Sequence, residues 1–188
     1  RDHVLIAQAV ARRQRIGGVR GRGILRVQRG GDAALRPGAS GLPAEDGARQ
    51  HDDRLGRDHD FSNKAGVVHS EILAPEGTPE RLNDRATLWN EVEAGEKRKD
   101  SQLAREVEFS IPRELNQQQG VQLARDFVEK QFVERGMVAD LNVHWDMGKD
   151  DQPKPHAHVM LSMREAGPEG FGKKVREWNS TELLSDWR

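Results

Sequence analysis

Three histidines in the C-terminal half of the sequence have a spacing that can bind a metal ion. His156 and His158 are separated by one residue within an apolar run, and His144 lies twelve residues before His156. On a β-strand, side chains two residues apart point to the same side, so both imidazoles can approach one ion. Because the chain has no cysteine, imidazole and carboxylate groups are the available ligands. We therefore predict a three-histidine metal site with coordination positions open for a substrate.

Two predicted strands must bring these histidines together. Residues 140–146 and 156–163 each alternate apolar and polar side chains. The nine residues between them are too few for a crossover helix, so the two strands are predicted to pair as an antiparallel hairpin. All three histidines then lie on its polar face.

The other predicted elements favour an α+β fold with a mainly antiparallel sheet and helices on one of its faces. Residues 66–73 are rich in β-branched side chains and residues 106–111 alternate strictly, so both are predicted strands. If the apolar strand faces all lie under the helices, the polar faces share the other side. Glu106 and Glu108 are then predicted to lie on the same surface as the histidines.

Capping patterns predict where the helices begin. Thr78 is predicted to cap a first helix, and Asn116 with Gln119 has the spacing of a capping box at the start of a second. The residues after position 163 are predicted to form a Gly-rich loop. Asn179 with Glu182 is predicted to cap a last helix.

The first fifty residues differ in composition from the rest of the chain. They contain ten Arg, nine Gly and four acidic residues but no Lys, Phe, Trp or Met, for a net charge of +6, whereas residues 51–188 have a net charge of −7. We interpret residues 1–50 as a basic disordered arm or as the product of a frameshift in a GC-rich gene, and we favour the frameshift. Residues 51–188 are predicted to form a partial domain.

The ends of the sequence suggest a fragment. The chain begins with Arg1 rather than Met and stops at Arg188 inside a helical pattern, so we expect a domain truncated at its C-terminus. No apolar run approaches the ~20 residues of a membrane span, and no signal-peptide pattern opens the sequence. We expect a soluble, cytoplasmic protein.

Four stretches of the sequence carry a family resemblance. They are FSNKAGVVHSEILAPEG (61–77), DRATLWNEVEAGEKRKDSQLAREVEFSIPREL (84–115), VHWD…KPHAHVMLSMRE (143–165) and GFGKKVREWN (170–179). Together they resemble the plasmid mobilisation relaxases of the MobA/MobL family, which belong to the HUH endonucleases. The resemblance implies a divalent metal ion, such as Mn²⁺, Mg²⁺ or Zn²⁺, bound by His144, His156 and His158. It also implies an acidic group in the active site, with Glu106, Glu108 and Glu114 as candidates.

The resemblance further implies a DNA-cutting activity. Relaxases of this family nick one strand at a plasmid transfer origin through a tyrosine that becomes linked to the 5′-phosphate, while the metal ion polarises the phosphate. The implied partners are single-stranded transfer-origin DNA, relaxosome accessory proteins and a coupling protein. In the family the tyrosine lies near the N-terminus, in a helix of small residues after a first strand.

This chain contains no tyrosine. The family's first strand and helix should fall within residues 1–50, where the sequence predicts neither of them. We therefore predict that the N-terminal strand and helix are lost and that the chain as written cannot nick DNA, although the metal site can still form.

Three alternatives remain open at this point. A rolling-circle replication initiator-like HUH endonuclease has the same His-hydrophobic-His motif, although such proteins generally place their tyrosine after the histidines. A non-catalytic, metal-bearing remnant would bind single-stranded DNA, although the charge of residues 51–188 is not that of a typical nucleic-acid binder. A plain zinc hydrolase is the least favoured, because the sequence has no His-Glu-x-x-His arrangement.

Overall fold

The computed structural model describes the backbone of residues 26–29, 49–52, 57–60, 66–97 and 101–179, and the side chains of residues 66–97 and 101–178. Within these residues the chain forms nine strands and two α-helices. The strands are β1 (Arg26–Arg29), β2 (Arg49–Asp52), β3 (Arg57–Asp60), β4 (Val67–Leu73), β5 (Ala104–Ser110), β6 (Ala139–Met147), β7 (Pro153–Ser162), β8 (Arg164–Gly167) and β9 (Gly170–Lys174). The helices are α1 (Arg85–Ala94) and α2 (Gln117–Gln131).

A five-stranded antiparallel sheet in the order β1-β5-β7-β6-β4 organises the described part of the chain. Strand β7 lies in its middle and pairs with both β5 and β6, which confirms the predicted β6–β7 hairpin. The α+β class with a mainly antiparallel sheet is also confirmed. Among the described residues, no helix combines the length and the apolar character needed to cross a bilayer.

Two shorter antiparallel pairs, β2–β3 and β8–β9, complete the strands. The β8–β9 pair replaces the Gly-rich loop that was predicted after position 163, so that prediction was wrong. The reason is that Ala166 and Phe171 pair across the two strands and pack against apolar side chains of α1 and the sheet. Gly170, with φ +99°, begins the second strand in a conformation that favours glycine.

Helix α2 covers one face of the sheet. It begins at the predicted capping box, where the Asn116 side chain accepts a hydrogen bond from the Gln119 N–H (2.9 Å) and the Gln119 side chain accepts one from the Asn116 N–H (3.1 Å). The chain leaves the helix region at Gly136, whose φ of +95° suits a glycine after a helix end. The core between α2 and the sheet includes Val107, Ile111, Ala124, Val128, Phe132, Leu141, Val143, Ala157 and Val159.

Helix α1 lies on the opposite face of the sheet, which differs from the predicted arrangement with helices on one face. Its Leu88 and Trp89 pack in one cluster with Met160, a β7 residue whose side chain points away from α2. The sheet is therefore buried on both sides over residues 139–143 and 159–162. The other end of the β6–β7 hairpin has one covered face and one open face, because His144, His156 and His158 are half-buried there.

The start of α1 also corrects a prediction. Residues Glu80–Asn83 form a 3₁₀ turn, and the helix begins after Asp84, whose side chain accepts a hydrogen bond from the Thr87 backbone N–H at 2.8 Å. Thr78 does not cap a helix, because its side-chain Oγ1, the atom that would accept the capping hydrogen bond, has no hydrogen-bond partner. The observed cap, Asp84, follows the predicted one by six residues, and the 3₁₀ turn lies between them.

Strand β1 lies within residues 1–50, where the sequence predicted no strand. It pairs antiparallel with β5, with Arg26 opposite Glu108. Such pairing needs only backbone hydrogen bonds along a free sheet edge, so an Arg- and Gly-rich composition does not prevent it. The frameshift interpretation of this segment stays a prediction. The helix predicted from Asn179 lies outside the described residues, which end in a 3₁₀ turn at Arg176–Asn179.

Candidate metal centre

The open end of the β6–β7 hairpin brings the three predicted histidines together. His144 on β6 lies directly opposite His156 on β7, and His158 lies two residues further along β7. Because side chains alternate along a strand, all three imidazoles point to the face that α2 does not cover. The side chains of His156 and His158 are 23 % and 25 % exposed, so a solvated ligand can reach them.

The spacing of the three rings fits one shared metal ion. The ring centroids of His144 and His156 are 5.0 Å apart, those of His144 and His158 are 5.1 Å apart, and those of His156 and His158 are 5.2 Å apart. Imidazoles bound to one ion at a nitrogen–metal distance of about 2.1 Å, between right and tetrahedral angles, have centroids roughly 4.6 to 5.3 Å apart. The centroid spacing is that of three imidazoles on one ion. The described group whose ligand atoms all lie within 4.8 Å of one another consists of His144, Asp146 and His156, and His158 is not part of it. The three-histidine ligand set therefore stays a prediction.

Two of the rings are oriented by hydrogen bonds from their second nitrogen. His156 Nδ1 lies 2.9 Å from the Lys154 carbonyl oxygen, and His158 Nδ1 lies 3.1 Å from Glu106 Oε1. A carbonyl or carboxylate oxygen only accepts, so Nδ1 carries the proton in both rings and donates it. Each Nε2 of the neutral ring then keeps its lone pair for a metal ion, as in carboxylate–histidine–metal arrangements.

The three acidic candidates lie in different environments. Glu106 contacts His158, as described above, and its side chain is 19 % exposed. Glu108 is half-buried and lies directly opposite His158 in the pairing of β5 with β7. Glu114 is exposed in the turn that follows β5. The structure thus brings Glu106 and Glu108 to the histidine face, but it does not bring Glu114 into contact with the rings.

His69 and Glu71, which lie in a family-like stretch, are on the far side of the sheet. They pair with Val143 and Leu141, whose side chains contribute to the α2 core. Glu71 accepts two hydrogen bonds from Arg125 Nε of α2, at 2.9 and 3.1 Å, and lies 2.9 Å from His69 Nε2. This ion-paired group joins an edge strand to a helix, which is a structural role.

A buried polar network closes the inner end of the histidine face. The Asp140 carboxylate, 1 % exposed, accepts two hydrogen bonds from the Arg85 guanidinium at 2.9 Å each and one from Trp89 Nε1 at 3.0 Å. Asn142 Nδ2 donates to Asp140 at 3.0 Å, and Ser70 bonds to both Asn142 and Arg85. These contacts hold α1 against the sheet beside the metal centre.

Sequence reasoning missed Asp146 as a candidate metal ligand. Its carboxylate offers a ligand atom that lies, with those of His144 and His156, in a set whose atoms are all within 4.8 Å of one another. The signal was present, because Asp146 follows His144 by two residues on the same strand and so shares its face. An aspartate near a hairpin turn is common, however, and its approach to the rings depends on distant residues.

Comparisons with known proteins show which family the chain resembles. The profile of the MobA/MobL family matches residues 44–187. The chain is 38 % identical over 137 residues to the conjugal transfer protein TraA of Agrobacterium fabrum, covering 68 % of this chain and 12 % of that protein. It is 36 % identical over 148 residues to the mobilization protein MobL of Acidithiobacillus ferridurans, covering 67 % of this chain and 38 % of that protein. The chain thus spans only a minor part of the relatives it matches.

A solved structure is similar to this chain in both fold and sequence. It is described as "Molecular Basis of Vancomycin Resistance Transfer in Staphylococcus aureus" and is similar to this chain with a TM-score of 0.64 and 34 % sequence identity, covering 76 % of this chain and 74 % of that chain. The family profile covers more than half of the sequence, and the resemblance predicted from the sequence motifs is confirmed. The chain therefore belongs to the MobA/MobL family.

Proposed function

We propose that this chain is the metal-binding part of a relaxase domain of the HUH endonuclease type, which positions a phosphate of single-stranded transfer-origin DNA for nicking. The observation that carries the proposal is the triangle of three imidazoles at the open end of the sheet, whose ring centroids are 5.0 to 5.2 Å apart. When bound there, a divalent ion supplies Lewis-acid polarisation of the phosphate oxygens.

The residues of the chain orient this site. Glu106 and the Lys154 carbonyl hold the rings of His158 and His156 in the tautomer that leaves Nε2 available. Three neutral imidazoles leave the charge of a dication largely uncompensated, so the site attracts an anionic phosphate diester. Because α1 covers the inner end of this face, the substrate approaches from the hairpin end.

The missing tyrosine limits what the chain can do with a bound strand. Strand transfer needs a hydroxyl nucleophile, and a phenol, with a pKa of about 10, is a better nucleophile and leaving group than an alkyl alcohol. The sequence contains no tyrosine. We propose that the chain as it stands binds single-stranded DNA without cutting it. In this respect it acts like the second candidate function, a metal-bearing remnant that binds DNA.

The relatives suggest the surroundings of this activity. Their names refer to conjugal transfer and mobilization. We propose relaxosome accessory proteins and a coupling protein as partners, and the cytoplasm as the location. These assignments rest on family membership.

A binding experiment tests the proposal. The full chain is titrated with labelled single-stranded transfer-origin DNA, with a scrambled strand and with a replication-origin strand, each with Mn²⁺ and with EDTA. We expect Mn²⁺ to strengthen binding to the transfer-origin strand and the double variant His156→Ala/His158→Ala to abolish this effect. His69→Ala is the matched control, because His69 lies on the opposite face.

A denaturing gel of the same samples tests the catalytic part. We expect no covalent protein–DNA product from this chain. Binding that is identical in Mn²⁺ and EDTA contradicts the metal-dependent function, and preference for the replication-origin strand favours the initiator alternative. A covalent product contradicts the assignment of tyrosine as the missing nucleophile.

A further inference from the structure

Asp146 is not part of the three-histidine set, but its carboxylate lies beside the imidazoles. Its Oδ2 lies 3.9 Å from His156 Nε2. This nitrogen is available for a metal ion, because the Lys154 carbonyl contacts the other ring nitrogen, Nδ1. Its ligand atom also lies within 4.8 Å of that of His144. The Asp146 side chain is 46 % exposed, so it is free to adjust its position.

A glycine that immediately precedes the neighbouring strand makes room for this carboxylate. Gly66, immediately before β4, has φ +91°, and a Cβ built on it would lie 1.8 Å from Asp146 Oδ1. Its carbonyl accepts a hydrogen bond of 2.7 Å from the Trp145 N–H, which fixes the backbone next to Asp146. One carboxylate oxygen therefore packs on bare backbone while the other faces His156. A side chain at position 66 would displace the carboxylate from this place.

We propose that Asp146 is a metal-selecting residue, which adds a carboxylate ligand to the histidines and favours a hard divalent ion such as Mn²⁺. Imidazole ligands suit Ni²⁺, Cu²⁺ and Zn²⁺, whereas carboxylate oxygen suits Mg²⁺ and Mn²⁺. The added negative charge also raises the affinity for any dication. The inference rests on the proposed function, since it concerns the same centre.

The distances allow this role with a small movement. Neighbouring ligand atoms on one metal ion lie roughly 3 to 3.5 Å apart, and the observed separation between Asp146 and His156 is 3.9 Å. A rotation of the exposed side chain closes this difference. His156, held by the Lys154 carbonyl, needs no change of orientation.

Metal titrations of the full chain, freed of metal by chelation, test the inference. Mn²⁺ and Ni²⁺ affinities are measured by calorimetry for the native sequence, Asp146→Asn and Asp150→Asn. We expect Asp146→Asn to weaken Mn²⁺ binding by about tenfold or more and Ni²⁺ binding by much less. Asp150→Asn is the matched control, because Asp150 is an exposed aspartate in the same hairpin that lies 4.0 Å from Arg113. We expect it to leave both affinities unchanged.

Gly66→Ala gives an independent variant that keeps Asp146 and all three histidines in the sequence. Because its Cβ displaces the Asp146 carboxylate, we expect the same loss of preference for Mn²⁺ over Ni²⁺, and thermal unfolding of the metal-free protein checks that the variant is folded. An unchanged Mn²⁺ to Ni²⁺ ratio in Asp146→Asn overturns the inference and leaves the three-histidine centre intact. If the native chain binds neither ion, the proposed metal centre fails and the inference fails with it.

Discussion

At the residue scale, Glu106 is distinguished from the acidic candidate Glu114 by its contact with His158. Its carboxylate accepts a hydrogen bond from His158 Nδ1, whereas Glu114 is exposed in a turn. A carboxylate in this position fixes the ring tautomer and raises the basicity of the ligand nitrogen. We therefore propose that Glu106 is a positioning residue for the metal centre and that it acts through His158.

The substitution Glu106→Ala tests this role. We expect a loss of Mn²⁺ affinity of about 10- to 100-fold, measured by calorimetry. This is the usual effect of removing a residue that hydrogen-bonds to a metal ligand in other proteins. Glu114→Ala serves as the control and is expected to bind Mn²⁺ as the native chain does. Equal affinities for the Glu106 variant and the native chain would show that the hydrogen bond to His158 does not support the site.

At the scale of elements, α1 is attached to the sheet by a buried ion pair. Arg85 is 15 % exposed and Asp140 is 1 % exposed. Removing one partner of such a pair leaves a buried charge without compensation, which costs about 3 to 5 kcal/mol. We expect Arg85→Ala to lose stability on this scale in urea unfolding.

Arg81→Ala is the matched control for Arg85→Ala. Arg81 also forms two hydrogen bonds to a carboxylate, that of Glu91, but its side chain is 49 % exposed. Exposed pairs contribute little, so we expect almost no change in the unfolding midpoint. Similar losses from both variants would contradict the view that burial makes the Arg85 contact important.

The N-cap of α1 gives a pH-dependent prediction. Hydrogen bonds from Thr87 lower the pKa of Asp84 below its usual value. The stabilisation by the charged cap is therefore complete above the unfolded-state pKa of roughly 4 and is lost as the pH falls through the lowered folded-state pKa. We expect Asp84→Ala to cost about 1 kcal/mol at neutral pH, measured in urea, and to cost less at acidic pH values where the native cap is protonated. A difference between the two proteins that is constant down to that pH would contradict the assignment.

At the scale of the whole molecule, the sequence predicts what depends on local patterns. The capping box of α2 needs only residues three apart, and the pairing of His144 with His156 follows from two alternating strands joined by a short turn. The side of the sheet on which α1 lies depends on Arg85, which is 55 residues away from Asp140. A buried aspartate cannot be distinguished from an exposed one until its partner is known. Asp146 was missed for the same reason, because the place of its carboxylate depends on Gly66, which precedes another strand.

The missing nucleophile gives a prediction for the whole chain. The frameshift interpretation predicts that another reading frame of the codons for residues 1–50 encodes a tyrosine within a helix of small residues. A protein made in that frame and joined to residues 51–188 is expected to give a covalent adduct with transfer-origin DNA in the presence of Mn²⁺. If neither alternative frame encodes such a tyrosine, the frameshift interpretation is wrong. His156→Ala in the restored protein is the control, and it should prevent the adduct.

The β6–β7 hairpin contains all three histidines within fifteen residues of chain. Closing so short a loop costs little entropy, and isolated hairpins form in about 1 to 10 μs. The ligands of the metal centre are therefore expected to meet early in folding, before distant parts of the chain join the sheet. The family resemblance predicts the nucleophile on a separate stretch of chain. Under the frameshift interpretation, we expect the metal ligands to assemble without that stretch.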